Sequence, residues 1–91
     1  MVTSFTSIED ILEGRYVDEE VEIRGWVYRK REGKNLIFIV VRDVTGIIQC
    51  VVRRGGPAWA NAEKVTIESS VALTGTVKKD ERAPGGHEIS T

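Results

Sequence analysis

Two apolar runs, Leu36 to Arg42 and Ile47 to Val52, stand out in the hydrophobic pattern, separated only by Asp43-Val44-Thr45-Gly46. Their length and β-branched content predict two strands joined in a hairpin, with glycine supplying the left-handed turn conformation. Upstream, Val21, Ile23, Gly25 and Val27 alternate with Glu22, Arg24, Trp26 and Tyr28. That period of two predicts a strand from Val21 to Arg29 with one buried face. Gly25 in its middle predicts a bend or a close approach of another backbone. Lys30 to Asn35 reads as a loop punctuated by Gly33. Residues 4–14 predict a short helix, with Ser7 as N-cap, Gly14 as stop, and Ile8, Ile11 and Leu12 on one face. Past Gly55-Gly56-Pro57, Ala58 to Val65 has helical composition and a proline suited to a helix start. Val71 to Lys78 predicts a fourth strand, again with a mid-strand glycine, Gly75. His87 to Thr91 begins a fifth, which reads as cut short.

Strand, strand, strand, helix, strand, strand is the order of an all-β, five-stranded Greek-key barrel of the oligonucleotide/oligosaccharide-binding (OB) type. A short N-terminal helix and a helix between strands 3 and 4 complete it. The organisation expected is a lead-in over residues 1–20 and a barrel over 21–91. Another small β-barrel, or a three-stranded meander with appendages, meets the same periodicity.

Composition narrows the classes. Ninety-one residues with 41% hydrophobic and 30% charged content make one small globular domain. A single cysteine, Cys50, excludes an internal disulfide and a thiolate zinc site, and it points to a reducing, cytoplasmic setting. The first residues do not resemble a signal peptide, and no apolar run is long enough to span a membrane. The net charge is −1, yet it is unevenly spread. From Glu9 to Glu22 seven acids face one base, a balance of −6; from Ile23 to Arg54 eight bases face two acids, a balance of +6. Such asymmetry suits one face that meets an anion.

Within the hairpin, two residues exceed what a core strand needs. Phe38 is an aromatic among aliphatic neighbours, and Gln49 is an amide among Ile47, Ile48, Cys50 and Val51. A ring and an amide on adjacent strands can stack on one nucleobase and hydrogen-bond to its edge. Taken singly, Phe38 also reads as core and Gln49 as an outward polar residue. Arg29, Lys30, Lys34 and Arg53 fall at strand ends, where basic residues can grip phosphates or simply confer solubility. Glu88 opens the last strand and can accept from a base amino or imino group, or be an ordinary exposed acid. His87 has no partners at ligand spacing, so no metal site and no catalytic constellation is read. Trp26 and Tyr28 can extend a stacking platform, but packing against the first helix or a neighbouring domain is the stronger reading; with Trp59 they are also the candidates for protein docking.

These residues resemble the N-terminal anticodon-binding domain of the class II aminoacyl-tRNA synthetases for aspartate, asparagine and lysine. The resemblance rests on Arg24-Gly25-Trp26-Val27, Gly33-Lys34-Asn35-Leu36-Ile37-Phe38, Val41-Arg42-Asp43 with Thr45-Gly46, and Gln49. Glu68-Ser69-Ser70-Val71 and Ala83-Pro84-Gly85-Gly86-His87-Glu88 are most similar to asparaginyl enzymes of the archaeal and eukaryotic type, with aspartyl enzymes next. The resemblance implies that Phe38 stacks on the central anticodon uridine, Gln49 hydrogen-bonds to it, Arg31 contacts the anticodon loop, and Glu88 reads a neighbouring base. It also implies a homodimeric parent enzyme with ATP and magnesium in a separate catalytic domain, and no cofactor in this one. The class II catalytic motifs are absent from the chain. A free-standing single-strand binder on the same fold is the alternative, disfavoured by the net charge.

Overall fold

The computed structural model describes residues 5–91. Five strands, β1 (Glu20–Glu32), β2 (Leu36–Arg42), β3 (Ile47–Arg53), β4 (Ser70–Lys79) and β5 (His87–Ser90), close into a barrel in the order β1-β2-β3-β5-β4. All neighbours are antiparallel except β3 and β5, which run parallel. The all-β barrel expected from the sequence is the fold observed, closed all the way round.

Alternation builds the interior. Ile23 and Val27 of β1, Ile37 and Val41 of β2, Ile48 and Cys50 of β3, Val77 of β4 and Ile89 of β5 are all fully buried. Helix α1 (Ile8–Leu12) stops one end of the barrel with Ile8 and Ile11. Helix α2 (Trp59–Lys64) covers the other end through Ala62, with Ala58, Trp59 and Val65 partly buried beside it. Trp59 packs part of its ring against the core from this helix. Burial also holds the Cys50 thiol protonated, its pKa pushed well up, so it is inert filling.

The two mid-strand glycines mark points of closure. A side chain on Gly25 would overlap the Arg42 carbonyl of β2. One on Gly75 would sit 2.6 Å from Ile89 Cγ2 and from the Ser90 carbonyl of β5. Both glycines let β1 and β4 press against their neighbours where the barrel curves.

Helix α1 is shorter than the 4–14 expected, and residue 4 lies outside the described residues. Its cap is as expected: Ser7 Oγ accepts from Asp10 N at 3.3 Å. A second cap comes from the β2–β3 turn. Asp43 Oδ2 accepts from Ile8 N at 3.0 Å, and Thr45 Oγ1 accepts from Glu9 N at 3.0 Å. Asp43 Oδ1 meanwhile binds Thr45 N at 2.7 Å, Thr45 Oγ1 at 2.6 Å and Gly46 N at 3.0 Å. Partial burial pushes this carboxyl upward, but the hydrogen bond from the Thr45 hydroxyl and those from three backbone N–H groups outweigh it. Asp43 lies below the usual carboxylate range.

β1 runs on through Glu32, so residues 30–32 belong to a strand rather than to the expected loop. It also carries a β-bulge. Val27 pairs with Val41, but Arg29, not Tyr28, pairs with Val40. The inserted Tyr28 reverses the alternation beyond it. Arg29 and Arg31 then share the outer face with their partners Val40 and Phe38, and Lys30 turns inward toward α2.

Candidate nucleic-acid interface

Phe38 and Gln49 both point outward from the barrel, between buried neighbours on their own strands. Phe38 lies opposite Val51, and Gln49 lies opposite Val40. The two are thus a diagonal pair on one face, within reach of one flat ligand. On the far side of Phe38, Arg31 is its cross-strand partner, and its guanidinium rests 4.8 Å from the ring centroid. Gln49 is in register with Glu88 on β5.

These residues border an open groove of about 650 Å³ lined by Tyr28, Arg29, Lys30, Arg31, Phe38, Val40, Gln49 and Ile67. That volume falls in the range of ligand sites, roughly 300–1,000 Å³. Arg29, Arg31, Phe38 and Gln49 come together in it. Ile67 is new: it projects from the loop between α2 and β4 and is half exposed. A single isoleucine between Thr66 and Glu68 carries no periodic signal, so no pattern marks it in advance.

Glu88 stands beside this groove, next to Gln49. Partial burial raises its pKa, the neighbouring Asp80 carboxyl raises it further, and Arg53 and the Gln49 amide act in the opposite direction. Asp80 is lowered: it accepts from Arg82 N at 2.9 Å and lies 3.5 Å from Arg82 Nε. Of the two acids, Glu88 is the one that takes up a proton first.

The remaining basic candidates are not equivalent. Lys30 Nζ donates to the Glu63 carbonyl at 3.0 Å and the Val65 carbonyl at 2.9 Å, closing the C-terminal end of α2. Its ammonium is engaged by the fold while the residue lines the groove, and the bulge that turns it toward α2 is the physical reason. Arg53 Nη1 donates to Ser90 Oγ at 2.8 Å and remains on the exposed rim. Lys34 is exposed in the β1–β2 turn, outside the groove. Asp43, Thr45 and Gly46, prominent in the sequence, tie the turn to α1 and lie away from the groove. Among the described residues no group of three histidine, cysteine or carboxylate side chains converges as a metal site would require. No helix among them is long and apolar enough to cross a membrane.

A closed OB barrel with a ring, an amide and guanidinium groups facing one groove defines a nucleic-acid-binding module. The match to a family model agrees: residues 21–91 correspond to the tRNA anticodon type of OB-fold nucleic acid binding domain, and the chain belongs to that family. Two similar curated proteins are asparagine–tRNA ligases. The one from Chloroflexus aurantiacus is 49% identical over 78 residues, covering 82% of this chain and 18% of the relative. The one from Thermoplasma acidophilum is 44% identical over 87 residues, covering 92% of this chain and 20% of the relative. Among solved structures, the asparaginyl-tRNA synthetase of Pyrococcus horikoshii, complexed with asparaginyl-adenylate, superposes with a TM-score of 0.86 at 36% identity. That match covers 98% of this chain and 21% of the solved one. The chain therefore spans about a fifth of the length of these relatives.

Proposed function

We propose that this domain reads the anticodon of a tRNA on behalf of an asparagine–tRNA ligase. The observation that carries the proposal is the diagonal placement of Phe38 and Gln49 on one outer face, beside Arg31. In this reading Phe38 stacks on the central uridine and Gln49 hydrogen-bonds to its edge. Arg31 contacts the anticodon loop, and Glu88, in register with Gln49, accepts from a neighbouring base. Arg29 and Arg53 bear on the phosphates, and Lys34 adds charge at the turn. Residues 21–91 are the reading unit, and the segment before them closes the barrel.

The asparaginyl rather than aspartyl assignment draws support from the identity to asparaginyl enzymes over most of the chain. ATP, magnesium and aminoacyl transfer belong in this proposal to the larger dimeric enzyme, acting in the cytoplasm. The chain's own contribution is selection: it discriminates between tRNAs by binding energy and performs no bond-making step.

The test is a comparison of anticodon stem-loops by calorimetry. Replacing the central uridine with cytidine is expected to weaken binding by roughly 1–3 kcal/mol, the worth of a well-made base contact. Equal affinity for both RNAs, and for an unrelated hairpin, overturns the reading in favour of a general single-strand binder.

A further inference from the structure

Among the described residues three large hydrophobic side chains stand exposed: Phe5, Val44 and Ile67. Of these, Ile67 alone borders the groove of Phe38 and Gln49. It is 50% exposed and takes no part in the core cluster. The turn that carries it is nonetheless tied down on both sides. Ser69 N donates to the Thr66 carbonyl at 3.0 Å, and Thr66 N donates to Ser69 Oγ at 3.1 Å. Val27, at the bulge of β1, clasps the same turn with its main chain. Its carbonyl accepts from Glu68 N at 2.7 Å, and its N–H donates to the Ser69 carbonyl at 2.8 Å. Lys30 Nζ holds the Val65 carbonyl, just ahead of the turn, at 2.9 Å. Glu68, next to Ile67, sits in the left-handed region at φ 74°, which is unfavourable for a residue with a side chain. Such strain persists where the surroundings over-determine it, and here it presents an apolar side chain to the groove.

The residues already placed fix what would meet that side chain. Gln49, on β3, lies to one side of Phe38; β1, and beyond it the turn, lie to the other. A uracil stacked on Phe38 with its Watson–Crick edge at Gln49 turns its C5–C6 edge and its ribose the opposite way, across β1. Two strand spacings, roughly 10 Å, separate β2 from the turn. The parts of the nucleoside that face it carry C–H groups, and an apolar surface suits them.

We infer that Ile67 is the wall against which the read uridine is seated: its side chain covers the ribose and the C5–C6 edge of the nucleotide stacked on Phe38. Thr66, Glu68 and Ser69 are positioning residues that hold it there. This inference rests on the anticodon-reading proposal and deepens it, because the added contact is to the read nucleotide itself. With Ile67 in place the site has three sides, a ring below, an amide at the polar edge and an isoleucine at the apolar one. Water is thereby kept from the hydrogen bond at Gln49, which a lower local dielectric strengthens.

The experiment titrates the 91-residue chain with two anticodon stem-loops, one intact and one with an abasic nucleotide on each side of the central uridine. Wild type, Ile67→Ala, Ile67→Leu and Phe38→Ala are compared, and intermolecular NOEs from the Ile67 methyl groups are recorded. Ile67→Ala is expected to weaken binding of both RNAs about fivefold, and Ile67→Leu to retain most of the affinity. The thermal midpoint should move little, since the side chain lies outside the core. The Ile67 methyls are expected to show NOEs to the sugar or to the C5–H and C6–H of the central uridine. A loss confined to the intact loop places Ile67 against a flanking base and overturns the inference. Unchanged affinity in Ile67→Ala beside a damaging Phe38→Ala also overturns it and leaves the anticodon reading standing. Indifference to Phe38→Ala as well overturns both.

Discussion

Gln49 and Glu88 are register partners on the parallel pair β3 and β5, so the amide that faces the groove is flanked by a carboxyl group. The arrangement makes the edge-reading pair chemically two-sided. The amide can both donate and accept, and an ionised carboxylate can only accept. Protonation of Glu88 would turn its acceptor into a donor and invert part of the pattern a base encounters.

That inversion gives RNA binding a pH dependence. Glu88 is raised by partial burial and by Asp80, so it takes up its proton at a higher pH than an ordinary glutamate. Affinity for the stem-loop is expected to fall as pH drops through that raised pKa, and Glu88→Gln is expected to flatten the profile. For folding the sign is opposite: a raised carboxyl stabilises the folded state below its unfolded pKa, and that contribution is lost as pH rises through the folded value. Binding isotherms between pH 4.5 and 8, with urea melts alongside, check both signs.

Phe38→Ala is expected to weaken stem-loop binding by roughly 1–3 kcal/mol, with Phe38→Trp retaining most of it. Because Phe38 lies on the outer face and not in the core cluster, the thermal midpoint should move little. Calorimetric titration with a parallel melt separates the two effects.

Asp43 should matter to stability and not to RNA. Its two oxygens hold the β2–β3 turn and the first N–H of α1. Asp43→Ala is expected to cost about 2 kcal/mol or more, a helix cap together with turn hydrogen bonds. The carboxyl is depressed, so its contribution is present above the unfolded pKa and is lost as pH falls through the lower folded value. Urea denaturation of both proteins, repeated toward pH 3, should show their stabilities converging.

Lys30 and Arg29 separate fold from function in neighbouring residues. Lys30→Gln is expected to lower stability by about 1 kcal/mol through the exposed α2 carbonyls, with no change in the salt dependence of RNA binding. Arg29→Gln should leave the melt unchanged and reduce the slope of log K against log salt by roughly 1. Salt titrations of both variants check the contrast.

Gly25→Ala and Gly75→Ala are each expected to destabilise by about 1–3 kcal/mol or more, since the added methyl meets backbone that is itself held in a ladder. Chemical denaturation measures the loss.

The strands were legible because their signals are local. β2 begins and ends where the apolar run does, and Gly25 and Gly75 announced close approaches that the barrel makes. Phe38 and Gln49 were legible as misfits within a core pattern. The bulge was not, because no residue type demands it: Tyr28 would sit as well in a regular strand. Everything that depended on parity beyond Val27 was therefore hidden, including the inward turn of Lys30. Ile67 was hidden for a different reason, since a loop side chain acquires its neighbours only when the barrel closes.

The bulge has an evolutionary corollary. Removing one residue between Val27 and Arg29 would leave hydrophobic content and strand length almost unaltered. Yet it would bring Lys30 to the surface, send Arg29 and Arg31 toward α2, and strip Phe38 of its guanidinium neighbour. A single-codon deletion at this point would act as a change of ligand-facing residues without any substitution. Among homologues, the count of residues between Gly25 and Gly33 should thus be held more strictly than their identities.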